Sequence, residues 1–173
     1  ANNGDLLVSC YSQNGQIRLT KNGLINWTTE QGLAGEKVRV AIEDSKNNLW
    51  VGTTTGLSLI QDNKVVKNYH LEDGLNHDYI MCVFEDSKGN IWIGTDGGGV
   101  NVLKDGVVID SFTSGENGLA GNVIFKIFED KEGIIWICTG TGISRYENKK
   151  FFNYDTSKGL GVDSVFQILI DYT

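Results

Sequence analysis

Short apolar runs alternate with short polar, glycine-containing segments along the whole chain. The alternation is clearest between residues 79 and 112, where the apolar runs are Tyr79–Glu85, Ile91–Thr95, Val100–Leu103 and Val107–Phe112. The segments between them, such as Asp86–Gly89, carry the Asp, Asn and Gly residues that favour tight turns. Short runs rich in β-branched and aromatic residues and bounded by turn residues are typical of β-strands. No stretch of 11 or more residues shows the 3.6-residue period of an amphipathic helix.

The same pattern returns at intervals of about 43 residues. Its clearest marker is a tryptophan block at Asn48–Thr53, Asn90–Thr95 and Ile134–Thr139, with the tryptophans 42 and 44 residues apart. A degenerate copy at Asp5–Cys10 has Leu7 in place of the tryptophan. A Glu-Asp pair precedes each intact block, and a Gly-Leu pair lies eleven residues before each Glu. The sequence therefore predicts four repeats, at approximately residues 4–48, 49–90, 91–134 and 135–173.

Four short antiparallel strands in about 40–45 residues are the sequence signature of a β-propeller blade. The predicted fold is therefore all-β, a single domain over residues 1–173 with about four four-stranded antiparallel blades. The chain opens on the second strand of a repeat, Leu6–Ser9, and closes on a predicted first strand, Val165–Ile170, which makes sixteen strands. Two arrangements fit this pattern. The chain is either a partial propeller or a small ring that its last strand closes.

Composition narrows the class of protein further. Apolar residues make up 40% of the chain and charged residues 21%, which is enough to form a core. The net charge of -7 argues against a nucleic-acid partner, which needs a basic surface. The longest unbroken apolar run, Tyr79–Phe84, is six residues, whereas a membrane helix needs about 20. The three cysteines form no C-x-x-C pair. We therefore expect no metal, no cofactor and no direct insertion of this segment into a membrane.

Two residue types recur at fixed positions of the repeat. The tryptophans are interpreted as packing between blades, with stacking on a sugar as the alternative, and are Trp50, Trp92 and Trp136. The aspartates each precede a glycine or asparagine in a predicted hairpin turn, and are Asp44, Asp86 and Asp130. Turn capping explains these carboxylates, because a calcium loop needs several oxygen ligands in alternation. Both sets are predicted to be structural, and no catalytic residue is expected.

Residues that differ between repeats, where the scaffold does not dictate them, are the candidates for ligand binding. The first strand of a blade lies innermost in a propeller, so one of its side-chain columns is expected to face the central channel. Arginine suits a carboxylate or sulfate, and aromatic rings stack on sugar faces. The alternative is that these side chains only fill the channel. The candidates, which include two loop residues, are Arg39, His77, Met81, Asp96, Phe125, Lys126, Phe166 and Gln167.

The repeats resemble the two-component regulator propeller repeat. The resemblance is carried by Ile80–Gly98, which has Glu85-Asp86, Gly89 and Trp92-Ile-Gly-Thr95 at the family's spacing. It extends to Val38–Leu57, with Asn47 in place of a glycine, and to Val123–Ile143, with Cys138 in place of another. The resemblance implies the extracytoplasmic or periplasmic sensor of a hybrid histidine kinase or diguanylate cyclase, which responds to breakdown products of polysaccharides. It also implies a full sensor with more blades than four.

The first functional hypothesis is a non-catalytic sensor propeller that binds a small saccharide-like ligand. The alternative is a protein-interaction scaffold whose blades associate with other blades or with a partner chain. A propeller glycan lyase or hydrolase is a more distant alternative, which paired carboxylates about 5–10 Å apart in the channel would favour. The expected partners are therefore a saccharide and, through self-association or blade contact, further propeller blades.

Overall fold

The structure is a computed structural model that describes residues 1, 3–12, 15–116 and 118–168. This part of the chain contains fifteen short strands and three 3-10 helices of three residues each, Thr29–Gln31, Leu71–Asp73 and Thr156–Lys158. The strands are β1 (Leu6–Ser9), β2 (Gln16–Thr20), β3 (Gly23–Trp27), β4 (Val38–Glu43), β5 (Leu49–Thr53), β6 (Gly56–Gln61), β7 (Lys64–Tyr69), β8 (Ile80–Glu85), β9 (Ile91–Thr95), β10 (Val100–Lys104), β11 (Val107–Phe112), β12 (Ile124–Glu129), β13 (Ile135–Thr139), β14 (Gly142–Glu147) and β15 (Lys150–Tyr154).

The strands form four sheets in which the strand order follows the chain. The sheets are β1–β2–β3, β4–β5–β6–β7, β8–β9–β10–β11 and β12–β13–β14–β15. Neighbouring strands run antiparallel, as in β4 with β5 and β12 with β13. This architecture confirms the prediction of an all-β chain made of short antiparallel blades. The chain divides into two compact units, residues 1–83 and 84–173, and the boundary between them lies within β8.

The predicted sixteenth strand is wrong for the residues that the structure describes there. Residues 164–168 belong to no strand, and residues 169 and 170, which completed the prediction, lie outside the described residues. The Val165 N–H donates to the Thr139 carbonyl at 3.0 Å, as the Val38 N–H donates to the Cys10 carbonyl at 2.9 Å. Val38 then begins the pairing of β4 with β5, whereas residues 166–168, the described residues that follow Val165, form no strand.

The core of the first unit lies between the three-stranded sheet β1–β2–β3 and the four-stranded sheet β4–β5–β6–β7. Leu49 and Val51 alternate along β5 and so point to one face, where they pack with Ile60 of β6. Trp27 at the end of β3 closes the same cluster from the other sheet, with Leu7 against it. Full burial of one such aliphatic side chain stabilises a fold by about 1.5–3 kcal/mol. This face-to-face packing explains why Leu49 and Val51, on one face of β5, are apolar.

The second unit has an aromatic core between its sheets. Trp92 of β9 stacks on Phe112 of β11, with ring centroids 6.1 Å apart. Tyr146 of β14 meets Trp92 edge-on at 5.6 Å, so Trp92 joins two neighbouring sheets. Phe151 of β15 completes the cluster at 4.8 Å from the Tyr146 ring. Aromatic pairs in such geometries contribute about 0.5–1.5 kcal/mol beyond the area that they bury.

The hairpins between the first and second strands have the backbone that their sequences predict. The residue two positions before the second strand has a positive φ, which is 63° for Asn47, 72° for Gly89 and 81° for Gly133. Glycine and asparagine tolerate this left-handed conformation best, which is why asparagine can replace glycine in one copy. The repeat therefore specifies its hairpins locally.

Candidate functional site

Each recurring aspartate is fully engaged within its own hairpin. Asp86 Oδ2 accepts hydrogen bonds from Trp92 Nε1 at 2.8 Å and from Asn90 Nδ2 at 2.7 Å. Asp86 Oδ1 accepts from the backbone N–H groups of Lys88 and Asn90, both at 2.9 Å. The same contact to the indole occurs from Trp50 to Asp44 at 2.9 Å and from Trp136 to Asp130 at 2.7 Å. These carboxylates hold the turn and the ring together.

The hydrogen bonds change the acidity of two of these aspartates. Burial raises the pKa of the Asp86 carboxyl, but hydrogen bonds from Trp92, Asn90 and the Lys88 N–H outweigh it, and the net pKa lies below its ordinary value. The pKa of Asp130 is lowered in the same way, with burial opposed by hydrogen bonds from Trp136 and two backbone N–H groups and by the charge of Arg145. Both carboxylates are therefore ionised when the chain is folded at neutral pH.

The recurring tryptophans are packed against other aromatic rings. Trp50 and Trp92 are buried, and Trp50 lies 5.9 Å from the Tyr69 ring. Trp136 is partly buried and stacks on Tyr154 at 6.3 Å. A ring that is buried and bonded through its N–H offers little surface to a sugar. This geometry supports packing as the role of these three positions.

The first strand carries a β-bulge at one of the variable positions. In β4, Val38 opposes Thr53 and Val40 opposes Gly52, which leaves Arg39 as the extra residue. In β12, Ile124 opposes Thr139 and Lys126 opposes Cys138, which leaves Phe125 at the corresponding place. A bulge re-aims its side chain and releases it from the alternation of the strand. Arg39 and Phe125 are therefore displayed by the scaffold without being required by its packing pattern.

In the first unit, Arg39 lies among aromatic side chains. Its Cζ is 5.4 Å from the centroid of the Tyr11 ring and 5.9 Å from that of Tyr79. The hydroxyls of the two tyrosines share a hydrogen bond at 3.1 Å. Arg39 Nη2 also lies 3.7 Å from the Met81 sulfur. Cation–π contacts at exposed sites contribute about 0.5–1 kcal/mol each, so the rings restrain the guanidinium.

The two tyrosines of this cluster were not among the candidates predicted from the sequence. Tyr79 immediately precedes the first strand of its repeat, and Tyr11 lies just after the degenerate first block. Neither position recurs as tyrosine in the other repeats, so the repeat pattern carries no signal for them. The rest of the cluster, Arg39 and Met81, comes from one predicted column of the first strands.

In the second unit, Phe125 and Phe166 contact each other, with ring centroids 4.4 Å apart and Phe166 largely exposed. Lys126 and Gln167 follow them in the chain and are both exposed. Cys138, opposite Lys126, is fully buried. Burial raises the pKa of the Cys138 thiol to about 11, against smaller opposing effects of the Ile168 N–H and the Lys126 charge. Cys138 is therefore an unreactive core residue.

The two loop candidates are both exposed. His77 Nδ1 accepts a hydrogen bond from the Tyr79 N–H at 2.9 Å, so His77 orders the turn that leads to Tyr79. Asp96 is linked to Val123 by an isolated backbone bridge between the end of β9 and the start of β12. Within the described residues no cluster of His, Cys, Asp and Glu has the arrangement of a metal site. The helices of the described chain are also too short and too polar to cross a membrane.

Comparison with known families identifies the repeat. Three segments, residues 32–55, 74–97 and 118–141, match the family model described as "Two component regulator propeller". Each segment runs from a Gly-Leu pair through the Glu-Asp pair and the tryptophan block. This match confirms the resemblance that the sequence predicted. A comparison with curated protein sequences finds no match.

Solved structures show the same fold. The extracellular domain of a hybrid two component system from B. thetaiotaomicron matches with a TM-score of 0.80 and 25% identity over 94% of this chain. A second such extracellular domain from B. thetaiotaomicron matches with a TM-score of 0.71 and 21% identity over 92% of this chain. This chain spans about a quarter of those domains, 23% and 24% of their lengths.

A third structure, virginiamycin B lyase from Staphylococcus aureus, has a TM-score of 0.73 and 15% identity. The match covers 90% of this chain and 53% of the lyase. At 15% identity this match shows a shared fold and not a shared activity, because propellers host many unrelated functions. The chain is thus a propeller-type domain related to the extracellular domains of two-component systems.

Proposed function

We propose that this chain, which contains three two-component regulator propeller repeats, is a non-catalytic, ligand-binding part of an extracytoplasmic sensor in a two-component signalling protein. The ligand that we propose is saccharide-like. The two structures from B. thetaiotaomicron support the extracytoplasmic location, since both are extracellular domains. The proposal concerns the part of a longer sensor that these residues form.

The observation that carries the proposal is the display of unlike side chains at one bulged position. Arg39 and Phe125 occupy the same place in β4 and β12, outside the regular pairing of the strands. The hairpin at the far end of the same strands is nearly identical in each copy, because its Asp–Trp contact is needed for packing. Side chains that differ between repeats, at positions that the packing of the blades does not require, are available to recognise a ligand.

A binding screen tests this function. Isothermal titration of the chain with a panel of plant and animal oligosaccharides is expected to find at least one ligand, because guanidinium and aromatic groups at the bulge suit sugar rings and their substituents. Arg39→Ala is expected to weaken the binding of a ligand at the β4 bulge, and Phe125→Ala that of a ligand at the β12 bulge. Phe152→Ala is the control for the phenylalanine, since Phe152 is exposed but lies on the outer strand β15. A panel without any ligand would contradict the proposal.

A second function, a scaffold that binds other blades, is favoured by one specific feature. Leu6, Leu19 and Leu24 lie side by side across the first sheet and are all exposed. Apolar residues in a contiguous row are typical of protein–protein contacts. Ligand binding uses the bulged positions and blade association uses the leucine row. A substitution in the leucine row should therefore affect association and not ligand binding.

A further inference from the structure

The Arg39 guanidinium differs from the other two arginines in its electrostatic surroundings. Arg18 pairs with Glu43 at 2.8 Å, and Arg145 pairs with Glu147 at 2.5 Å. Arg39 has no carboxylate within ion-pair distance among the described residues, although the chain carries a net charge of -7. It is held by Tyr11, Tyr79 and Met81 instead. A positive charge that is positioned but not neutralised is suited to an external anion.

A cavity adjoins this cluster within the first unit. Tyr11 belongs to both, since its ring lies under Arg39 and also lines a cavity of about 740 Å³. The other residues that line it are Ser12, Glu36, Lys37, Thr54 and Thr55. A volume of this size is in the range of sites that hold small ligands. The Tyr11 ring is 52% exposed and offers an apolar face beside several hydroxyl groups.

The charges around the cavity favour an anionic ligand. Lys37 lines it and is exposed, and Arg39, which is also exposed, lies 5.4 Å from the Tyr11 ring of the lining. The one carboxylate that lines it, Glu36, accepts a hydrogen bond from Thr29 Oγ1 at 3.0 Å. One cation, Lys37, therefore lines the cavity beside one carboxylate, and a second cation, Arg39, lies against a ring of the lining, in a chain that is otherwise acidic. A neutral sugar would gain nothing from this local excess of positive charge.

We propose that this cavity binds an acidic saccharide, and that Arg39 recognises its carboxylate or sulfate group while Tyr11 contacts the sugar ring. This inference rests on the proposed function and names the chemical class of the ligand. A guanidinium carries five N–H donors, and its cation–π contacts with Tyr11 and Tyr79 leave donors for a carboxylate or sulfate. Lys37 supplies a second charge on the cavity wall.

The test is a titration of the chain with two matched probes, a disaccharide that contains glucuronate and the disaccharide in which glucose replaces it. We expect the acidic probe to bind at least about tenfold more tightly than the neutral one, with an affinity that falls as salt is added. Arg39→Gln is expected to remove this preference. Arg39→Lys keeps the charge but loses the planar fork, so an intermediate loss is expected.

The matched control is Arg145→Gln, which removes an arginine that is paired with Glu147 in the other unit and should leave both affinities unchanged. Tyr11→Ala provides a second variant, since it removes the shared ring at an exposed position. Equal binding of the two probes with no effect of Arg39→Gln would overturn this inference and leave the proposed function standing. Binding of neither probe would overturn the inference and count against the proposed function as well.

Discussion

At the scale of single residues, one carboxylate in each hairpin holds a turn and an aromatic ring at once. The backbone N–H groups bind one oxygen of Asp86, and the Trp92 indole binds the other. A hydrogen bond to a charged group is worth about 1.5–3 kcal/mol, more than a neutral one. The aspartate therefore contributes to stability through its charge.

The first prediction concerns Asp86→Asn. We expect the variant to lower the free energy of unfolding by about 1–3 kcal/mol at pH 7, because an amide cannot accept at both oxygen positions. The pKa of Asp86 is lower in the folded chain than in the unfolded one, so its contribution is complete above about pH 4–5 and is lost as the pH falls through the folded pKa. Urea unfolding followed by tryptophan fluorescence from pH 7 down to acid measures both effects.

The control for this variant is Asp62→Asn. Asp62 is exposed in the β6–β7 hairpin, at a positive φ of 48° that asparagine accepts, so the variant removes the same charge without the hairpin contacts. We expect it to change stability by less than about 0.5 kcal/mol at any pH. A deficit of Asp86→Asn that stays constant from neutral to acid pH would contradict the assigned role of the charge.

The sequence showed which residues recur but only part of what they do. Spacing alone placed Asp86 in a turn, and the structure adds that Trp92 donates to the same carboxylate. The constant six-residue separation from Asp to Trp in three copies contained that signal. No comparable signal exists for Tyr11, which reaches Arg39 across 28 residues of chain. Contacts between non-repeating residues depend on the tertiary fold and are not encoded in a local pattern.

At the scale of elements, the segments that precede β4 and β12 are each hydrogen-bonded to the blade that they enter. The Ala34 N–H donates to Ser58 Oγ at 2.9 Å, and Thr55 Oγ1 donates to the Ala34 carbonyl at 2.8 Å. Asn68 Nδ2 donates to the Gly32 carbonyl at 2.9 Å. The segment before β12 makes the corresponding three bonds, with Ser144, Thr141 and Asn153. This fastening fixes where the first strand begins and hence where its bulge lies.

The second prediction concerns the glycine at the end of this segment. A Cβ on Gly35 would overlap the Thr55 hydroxyl oxygen and lie 2.9 Å from that of Thr53. We expect Gly35→Ala to destabilise the chain by about 1–3 kcal/mol through overpacking. Gly121→Ala should behave alike, because a Cβ there meets Thr141 and Thr139 in the same way. Thermal or urea unfolding measures the loss.

The control is Gly161→Ala, in the corresponding segment of the last repeat, one position before the equivalent of Gly35. A Cβ at Gly161 has no heavy atom within 4 Å, so we expect a change within about 0.5 kcal/mol. Equal effects of Gly35→Ala and Gly161→Ala would show that the contact with Thr55 is not what requires glycine.

The pattern of apolar runs predicted strands such as Ile91–Thr95 to the residue. It did not predict the bulge at Arg39, because a bulge depends on how two residues pair against one on the neighbouring strand. It also predicted a strand at Val165–Ile170 that the described residues there do not form. A strand requires a partner, and the composition of a segment does not provide one.

At the scale of the whole molecule, one face of the first sheet is exposed, whereas the equivalent face of the second sheet is buried. Leu6, Leu19 and Leu24 are 59%, 40% and 58% exposed. Their equivalents in the next sheet, Leu49 and Ile60, are 1% and 3% exposed because the first sheet covers them. We therefore propose that this exposed face is available for contact with another blade.

The third prediction follows from this apolar row. We expect the chain to self-associate in a concentration-dependent way through the row, and Leu24→Lys to shift it towards the 19.0 kDa monomer. Val66→Lys, at another exposed apolar residue, is the control and should not alter the association. Light scattering coupled to size exclusion gives the molar mass. A monomer for every variant at all concentrations would show that the row makes no contact within this chain's own assemblies.

The measurement that tests the central claim most directly is a map of backbone amide chemical shifts while an oligosaccharide is added to the chain. If the residues displayed by the bulges recognise the ligand, the shifts should concentrate at Arg39 and its neighbours Tyr11 and Met81 in the first unit, or at Phe125 and its neighbour Phe166 in the second. The Asp44–Trp50 hairpin and its counterparts should remain unchanged. Shifts confined to those hairpins or to the leucine row would contradict the account, because the ligand would then bind the scaffold and not the residues that the scaffold displays.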